Sequence, residues 1–370
     1  MFEQGRVPPH SSSRSAHRGI APFDTIAIVA AVVVQIAQPN GAWIEKYYST
    51  GIYPAIDRFV RAVTDPLPFC LGDVLFAVAV VWLARFWIVS VLRAPGARLR
   101  AVAHALVRTF AVACAIYVWF EISWGYNYAR IPLAEKVIVY DDRTDEDSVA
   151  TFADRVSDRL SQLADAAHRE RMDGDAFAYR LVPTFEATIG RLGSHDAVAP
   201  PRVKPTLFQP MMQLSGSNGF TDPWTHEINL DATASPYERP AIYAHEWAHI
   251  AGFADESEAN FISVIACTTS HDPLLAYSGW ILVWFNLPSD VHVSHRMGHT
   301  AYDDIMAIRA HYLKNVNTQV ERVQRVAYDR YLKSNHVKAG FASYRLFIRW
   351  MTGADFDAAG LPRVRGETSF

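Results

Sequence analysis

The residues best equipped for chemistry in this chain are His245, Glu246 and His249, in the run HEWAH. On an α-helix, positions four apart lie on one face, one turn apart. Two imidazoles so placed can grip a single Zn²⁺, and the carboxylate of Glu246 then falls beside the ion. The chemistry this predicts is metal-assisted hydrolysis. Zn²⁺ lowers the pKa of a water and polarises a carbonyl, while Glu246 accepts a proton and later delivers it to the leaving amine.

The spacing is the HExxH of zinc metallopeptidases. Such sites take a third protein ligand and keep one position for water. Three acidic residues follow Gly252. Glu256 opens ESEAN at the start of the next helical stretch, where glutamate-zincin peptidases often place a ligand. Asn260, one turn further on, is placed to orient a ligand histidine through its other ring nitrogen. Asp255 completes HEWAHIAGFAD, a variant of the metzincin layout. Glu258 points to a different face from Glu256. Ile242, Trp247 and Ile250 mark the motif helix as buried, and a metal relieves the cost of burying two histidines and a glutamate there. His226, His271 and Tyr277 are nearby candidates for stabilising an oxyanion. His292, His295 and His299 (HVSHRMGH) form a second cluster, which on a helix would share a face and offer a second metal site; Gly298 argues for a loop and for solvated or site-lining histidines.

The motif helix starts near Pro236 or Pro240 and stops at Gly252. A second helix runs from about Asp255 to Thr268. Upstream, residues 206–231 are rich in Gly, Asn, Pro and Ser, and EINLD alternates as strands do, which predicts one or two short strands. An edge strand there is placed to bind an extended peptide through its backbone. Residues 145–170 form an amphipathic helix with Val149, Phe152, Val156, Leu160 and Leu163 on one stripe. Residues 174–191 and 301–352 are helical, the latter with a polar break near Ser334–Gly340. Residues 274–287 are very apolar but short for a crossing, and read as a buried or membrane-lying helix, with a fourth span as the alternative.

Half of the 370 residues are hydrophobic and only 20% are charged. That excess gathers in three stretches, about 20–37, 71–92 and 103–124, each near the ~20 residues that cross a bilayer. Asp73 and Arg85 interrupt the second, and Arg108 and Glu121 lie near the ends of the third. Such charges snorkel or face other helices. Between the first two stretches, Ile52, Ile56, Val60 and Val63 fall near one face of a short helix at the membrane surface. Arg6, Arg14 and Arg18 precede the first stretch, and Arg93, Arg98 and Arg100 follow the second. This places both ends in the cytoplasm and everything after Trp124 outside it. The aromatics of WGYNYARIPL suit the headgroup region. The N-terminal stretch has no clear cleavage site and does not read as a signal peptide. A net charge of −3 without a basic stripe excludes a nucleic-acid footprint. Cys70, Cys114 and Cys267 show no paired spacing, so neither a disulfide framework nor a cysteine metal site is predicted.

On several segments the chain resembles an uncharacterised bacterial membrane-protein family catalogued as domain of unknown function 3810 (DUF3810). These are YYSTGIYP, PFCLGDVL, WGYNYARIPL, GFTDPWTHEINLD, AHEWAHIAGFADESEANF and YLKSNHVKAGFASYRLF, spanning about residues 40–350. The family pattern HExAHxxGxxxExEANF is matched by His245, Glu246, His249, Gly252, Glu256, Glu258, Ala259, Asn260 and Phe261. The resemblance implies a zinc-peptidase-like protein with His245, His249 and Glu256 as ligands, Glu246 as base and Asn260 behind a ligand. In relatives the position of Asp255 is often basic, which favours Glu256. His226 stands where a glycine is expected, close enough in sequence to crowd or assist the site.

These readings predict a mainly α protein. Residues 1–19 form a disordered cytoplasmic tail, and residues 20–124 a three-helix transmembrane region. Residues 125–370 form an extracytoplasmic, predominantly helical zincin-like metallopeptidase domain with a short β element, at the inner membrane. The expected partners are the lipid bilayer and a peptide or protein substrate, and the expected cofactor is Zn²⁺. The rival is a non-enzymatic membrane protein with a structural zinc, which would have no need of Glu246. An intramembrane protease would need HEWAH inside an apolar span, and the flanks SPYERP and GFADESEAN are polar.

Overall fold

The three apolar stretches become helices of unequal length. The computed structural model describes residues 21–37, 39–93, 96–170, 174–194, 199–288, 291, 297–335 and 346–366. The tail at 1–19 lies outside these residues. Helix α1 (Pro22–Ile36) has 15 residues, about 22 Å against a hydrocarbon core of about 30 Å. Two helices, α4 (Leu71–Leu92) and α5 (Arg98–Ser123), are long and apolar enough to cross a membrane. A third candidate is formed by α1 with the helical segment Gly41–Thr64, bent by 109°, if the two are counted as one span. That segment comprises α2 (Gly41–Trp43), a π-helical stretch (Ile44–Ile52) and α3 (Tyr53–Thr64).

Contacts divide the chain into two compact units, residues 1–37 with 81–118 and residues 38–80 with 119–370. This differs from a linear boundary at 124, because residues 38–80 pack with the C-terminal region. In the smaller unit, Ala27, Ala31, Ala111 and Cys114 form a close-packed cluster of small side chains, as helix pairs in lipid favour. Arg108 lies 3.1 Å from Asp24, so a charge near the end of one apolar stretch is neutralised by a charge on another.

The larger unit is built around α11 (Glu256–Thr268), which is buried from Glu256 to Cys267. It packs on the motif helix α10 (Arg239–Ile250), on α12 (Pro273–Asn286), on α8 (Phe177–Arg191) and on α15 (Leu346–Gly353). Helix α7 (Glu146–Arg169) is capped by Asp145 and buries Phe152, Val156 and Leu160 against α12. Of the two readings for 274–287, the buried one holds, since Leu274 to Gly279, Ile281, Val283 and Trp284 are enclosed. Trp247 stacks on Phe185 at 3.8 Å, on the core side of α10. The short β element is an antiparallel hairpin of β1 (Gly219–Asp222) and β2 (Glu227–Leu230), with Gly219 opposite Leu230. A short helix, α9 (Gln209–Ser215), precedes it. The 301–352 region divides into α13 (His299–Asn315) and α14 (Thr318–Ser334), because Asn317 caps a new helix.

The predicted stripe of Gly41–Thr64 splits between two faces. Val60 is buried with Tyr53, Asp57 and Arg61, while Ile52, Phe59 and Val63 are exposed. The polar groups turn inward because they have partners there. Tyr53 donates to Ile250 O at 2.8 Å and Asp57 pairs with His226 at 2.9 Å.

At the start of α10, burial pushes the Glu238 carboxyl up to about 7, and Asp231 adds to the shift. The folded pKa exceeds the unfolded one, so the stability cost is absent below about pH 4 and complete above about pH 7. Glu238→Gln should therefore leave the thermal midpoint unchanged at pH 4 and raise it at pH 8, by up to ~3 kcal/mol of stability. Melting curves at the two pH values check this, and an equal shift at both would contradict it.

Candidate metal centre

A single backbone turn brings the site together. Gly252 adopts φ +85°, open to glycine at little cost. Phe253 N bonds Ala248 O at 3.0 Å and Gly252 N bonds His249 O at 3.0 Å, which closes α10 in a Schellman motif. The chain then reverses, and Asp255 caps α11 by accepting from Ser257 N at 2.8 Å and Glu258 N at 3.4 Å. Glu256, the first residue of α11, swings back across α10 onto the two histidines.

His245 Nε2 and His249 Nε2 are 3.1 Å apart. Glu256 Oε2 lies 3.1 Å from the first and 3.5 Å from the second. Bonds of about 2.0–2.1 Å to a tetrahedral ion set ligand-to-ligand edges of about 3.3 Å, so these three atoms outline one face of such a tetrahedron. The other ring nitrogens are engaged. His245 Nδ1 meets Asn260 Oδ1 at 2.9 Å and His249 Nδ1 meets Phe253 O at 2.8 Å. Both partners are acceptors, so each Nδ1 carries a proton and both Nε2 atoms face the shared point. Burial opposes charge on Glu256, yet the two imidazoles hold its carboxyl well below the usual carboxylate range. Burial likewise opposes charge on His249, and Glu256 outweighs it, moving the imidazole up to about 9.

Asp255 and Glu258, the rival third ligands, are occupied elsewhere. Asp255 is the helix cap. Glu258 accepts from Leu133 N at 2.6 Å, and burial pushes its carboxyl up to about 7.

Glu246 lines the same cleft, a cavity of about 620 Å³ whose walls also include His245, His249, Glu256 and Asn260. Thr221 on β1 donates to Glu246 Oε2 at 2.7 Å. Burial raises the Glu246 carboxyl above its ordinary pKa. Strand β1 lies so close that a Cβ on Gly219 would meet the Glu246 carboxylate, so only glycine fits. A second cavity of about 730 Å³ adjoins the cleft and shares Gly216, Asn218, Ile242, Leu282 and Tyr312 with it. Its walls include Met212, Ile281, Trp284, Phe285, Ile305 and Met306.

The nearby residues named for oxyanion stabilisation lie elsewhere. His226 is fully buried, with Nδ1 on Asp57. Its φ of +54° explains why a glycine is expected there. Tyr277 donates to Asp304 at 2.7 Å, and His271 does not line the cleft. His292 and His295 lie outside the described residues, and His299 begins α13. In their place the cleft presents Tyr328, Tyr331 and Arg325 from α14. The Tyr328 hydroxyl donates to Glu256 Oε1, leaving Oε2 for the histidines. Sequence reasoning missed Thr221 and Tyr328, because each reaches the site from another element, β1 and α14, whose approach no local spacing records.

The carbonyls at the end of α10 also have distant partners. Tyr53 donates to Ile250 O, Trp124 Nε1 to His249 O at 3.1 Å, and Arg130 to Gly252 O at 2.8 Å. Trp124 is therefore buried as a helix cap rather than lodged in headgroups. Arg130 is held in turn by Glu45, at 2.8 and 3.0 Å.

One other cluster among the described residues has metal-compatible spacing, formed by Cys70, Asp222 and Glu227. Its chemistry is already accounted for. Glu227 accepts from Leu71 N and Gly72 N, each at 2.9 Å, and from Lys204 at 2.6 Å. Burial pushes the Cys70 thiol up to about 12, so it stays protonated.

The class defined so far is a mainly helical chain with apolar helices and a buried His-His-Glu cluster facing an open cleft. The chain belongs to the family described as protein of unknown function DUF3810, whose model matches residues 48–352. Neither the curated proteins nor the solved structures contain a match.

The geometry separates the acidic residues by experiment. Asp255→Ala should cost about 1 kcal/mol of stability, as loss of a helix cap does, and leave the metal content of the purified protein unchanged. Glu256→Ala should lower metal content sharply. Elemental analysis with melting curves checks both, and metal loss in Asp255→Ala with retention in Glu256→Ala would contradict the assignment.

Proposed function

We propose that this protein is a membrane-anchored zinc-dependent peptidase, with His245, His249 and Glu256 as zinc ligands and Glu246 as general base. The observation that carries this reading is an open fourth side. The three donors face a cleft that also holds a buried, hydrogen-bonded carboxylate, whereas structural zinc sites are closed by four protein ligands. Bound zinc would supply Lewis acidity, lowering the pKa of a water and polarising a carbonyl. Glu246 takes the proton, and its raised pKa suits it to pass that proton to the leaving amine. Thr221 fixes the carboxylate through Oε2. Asn260, Phe253 O and Tyr328 hold the ligands in place.

Among the described residues β1 pairs only with β2. The Asp231 N to Asn218 O bond sets the register so that Gly219 and Thr221 turn their backbone groups to the open edge. An extended peptide adding to that edge would pass the Glu246 carboxylate. The adjoining apolar cavity favours large hydrophobic side chains near the scissile bond.

In this reading α1 with its following bend, α4 and α5 make three crossings of the inner membrane. The arginines before α1 and between α4 and α5 face the cytoplasm, and residues after Trp124 lie outside it.

The test compares wild type with Glu246→Gln, by peptide proteomics of the extracytoplasmic compartment and by cleavage assays on purified protein. Glu246→Gln should retain zinc and lose activity by about 10²–10⁴-fold. A chelator should abolish wild-type cleavage and added zinc should restore it. Identical cleavage products in wild type and Glu246→Gln would overturn the reading.

A further inference from the structure

The segment before β1 is fastened to the start of α4. Asp73, in the first turn of α4, accepts from Leu207 N at 2.6 Å and from Thr206 Oγ1 at 3.0 Å. Phe76 packs edge-on against Phe208 with ring centroids 5.3 Å apart. Phe76 lies five residues into α4, about 7.5 Å along its axis. A helix of 22 residues is about 33 Å long, so when α4 spans a core of about 30 Å, Phe76 lies within it and Phe208 lies at the same level.

From that level α9 turns a second apolar face outward. Its inner face buries Met212 and Ser215. Met211 and Leu214, three apart on the opposite face, are 56% and 41% exposed, and Leu207, in the turn just before the helix, is 75% exposed. The hairpin tip lies at a matching height. Trp119, four residues before the end of α5, donates to Trp224 O at 3.1 Å, and Ser123 donates to Pro223 O at 3.2 Å. The Trp224 ring is 40% exposed, and indoles favour the headgroup layer.

We propose that Leu207, Phe208, Met211 and Leu214, with Trp224 beside them, seat in the lipid bilayer at the boundary of headgroups and acyl chains. Phe220 and Trp224 line the cleft, so the cleft opens beside this lipid-facing rim. The inference rests on α4 and α5 crossing the membrane, not on the peptidase activity.

The test uses full-length protein in nanodiscs of phosphatidylcholine and phosphatidylglycerol. Leu207→Cys and Met211→Cys each carry an environment-sensitive fluorophore. Val78→Cys on α4 is the lipid control and Tyr179→Cys on α8 the aqueous control, both at exposed positions. The native cysteines are buried and escape labelling. Labels at 207 and 211 should lose fluorescence to lipids spin-labelled high on the acyl chain, as the label at 78 does, and resist iodide. The label at 179 should do the opposite. Iodide quenching at both 207 and 211, with 78 quenched by lipid, would overturn the inference while leaving the spanning helices intact. Shielding of both positions from both quenchers would assign the patch to a protein partner and overturn it equally. A label at 78 that lipid does not quench would remove the membrane reading itself. Two independent positions guard against one misfolded variant, and gel filtration in detergent checks each.

Discussion

The site depends on the left-handed turn at Gly252. Two helices carry the His-His-Glu cluster, and only a tight reversal brings the first residue of the second onto the last turn of the first. A Cβ there would approach Asn127 Oδ1 and a Tyr53 ring carbon to 3.2 Å, and the backbone would be strained as well. The reversal leaves carbonyls exposed at the end of α10, and in a buried position these require partners. Tyr53, Trp124 and Arg130 provide them. The geometry of the histidines is therefore fixed partly by residues more than one hundred positions away.

Those three capping residues flank the apolar helices, and so do Asp73 and Glu227, which hold the loop before α9 and the hairpin against the first turn of α4. The carboxylate of Glu227 rests on the backbone N–H groups at the start of α4, where the helix dipole favours negative charge. It is also half of a buried ion pair with Lys204, which neutralises both. Strand β1 then carries Thr221 to Glu246. A continuous set of hydrogen bonds thus joins the start of a membrane-length helix to the candidate base. Asp73, an awkward charge when its helix is viewed alone, has its place in this set.

Sequence and structure agree most closely where the interactions are local. The four-residue spacing of His245 and His249 sets their shared face, and Gly252 and Asp255 mark a helix stop and a helix start. The alternation of EINLD marks a strand, and the stripe of α7 marks a core helix. What could not be seen in the sequence is long-range. Nothing in YYSTGIYP or WGYNYARIPL shows that Tyr53, Trp124 and Arg130 cap the motif helix. Their aromatic character fits a headgroup belt equally well. The choice among Asp255, Glu256 and Glu258 also depended on tertiary contacts, since only the fold shows that Glu256 meets both histidines and that Glu258 faces Leu133. The inward turn of Tyr53 and Asp57 splits the apolar stripe read for α3 for the same reason: their partners, Ile250 O and His226, lie outside the helix.

The most direct test of the central claim is X-ray absorption at the zinc edge on the purified, full-length protein. The account predicts one zinc per chain, with two imidazoles and oxygen scatterers at about 2.0–2.1 Å and one position taken by water. A sulfur scatterer at about 2.3 Å, placing the metal at Cys70 instead, or a shell closed by four protein ligands, would contradict it.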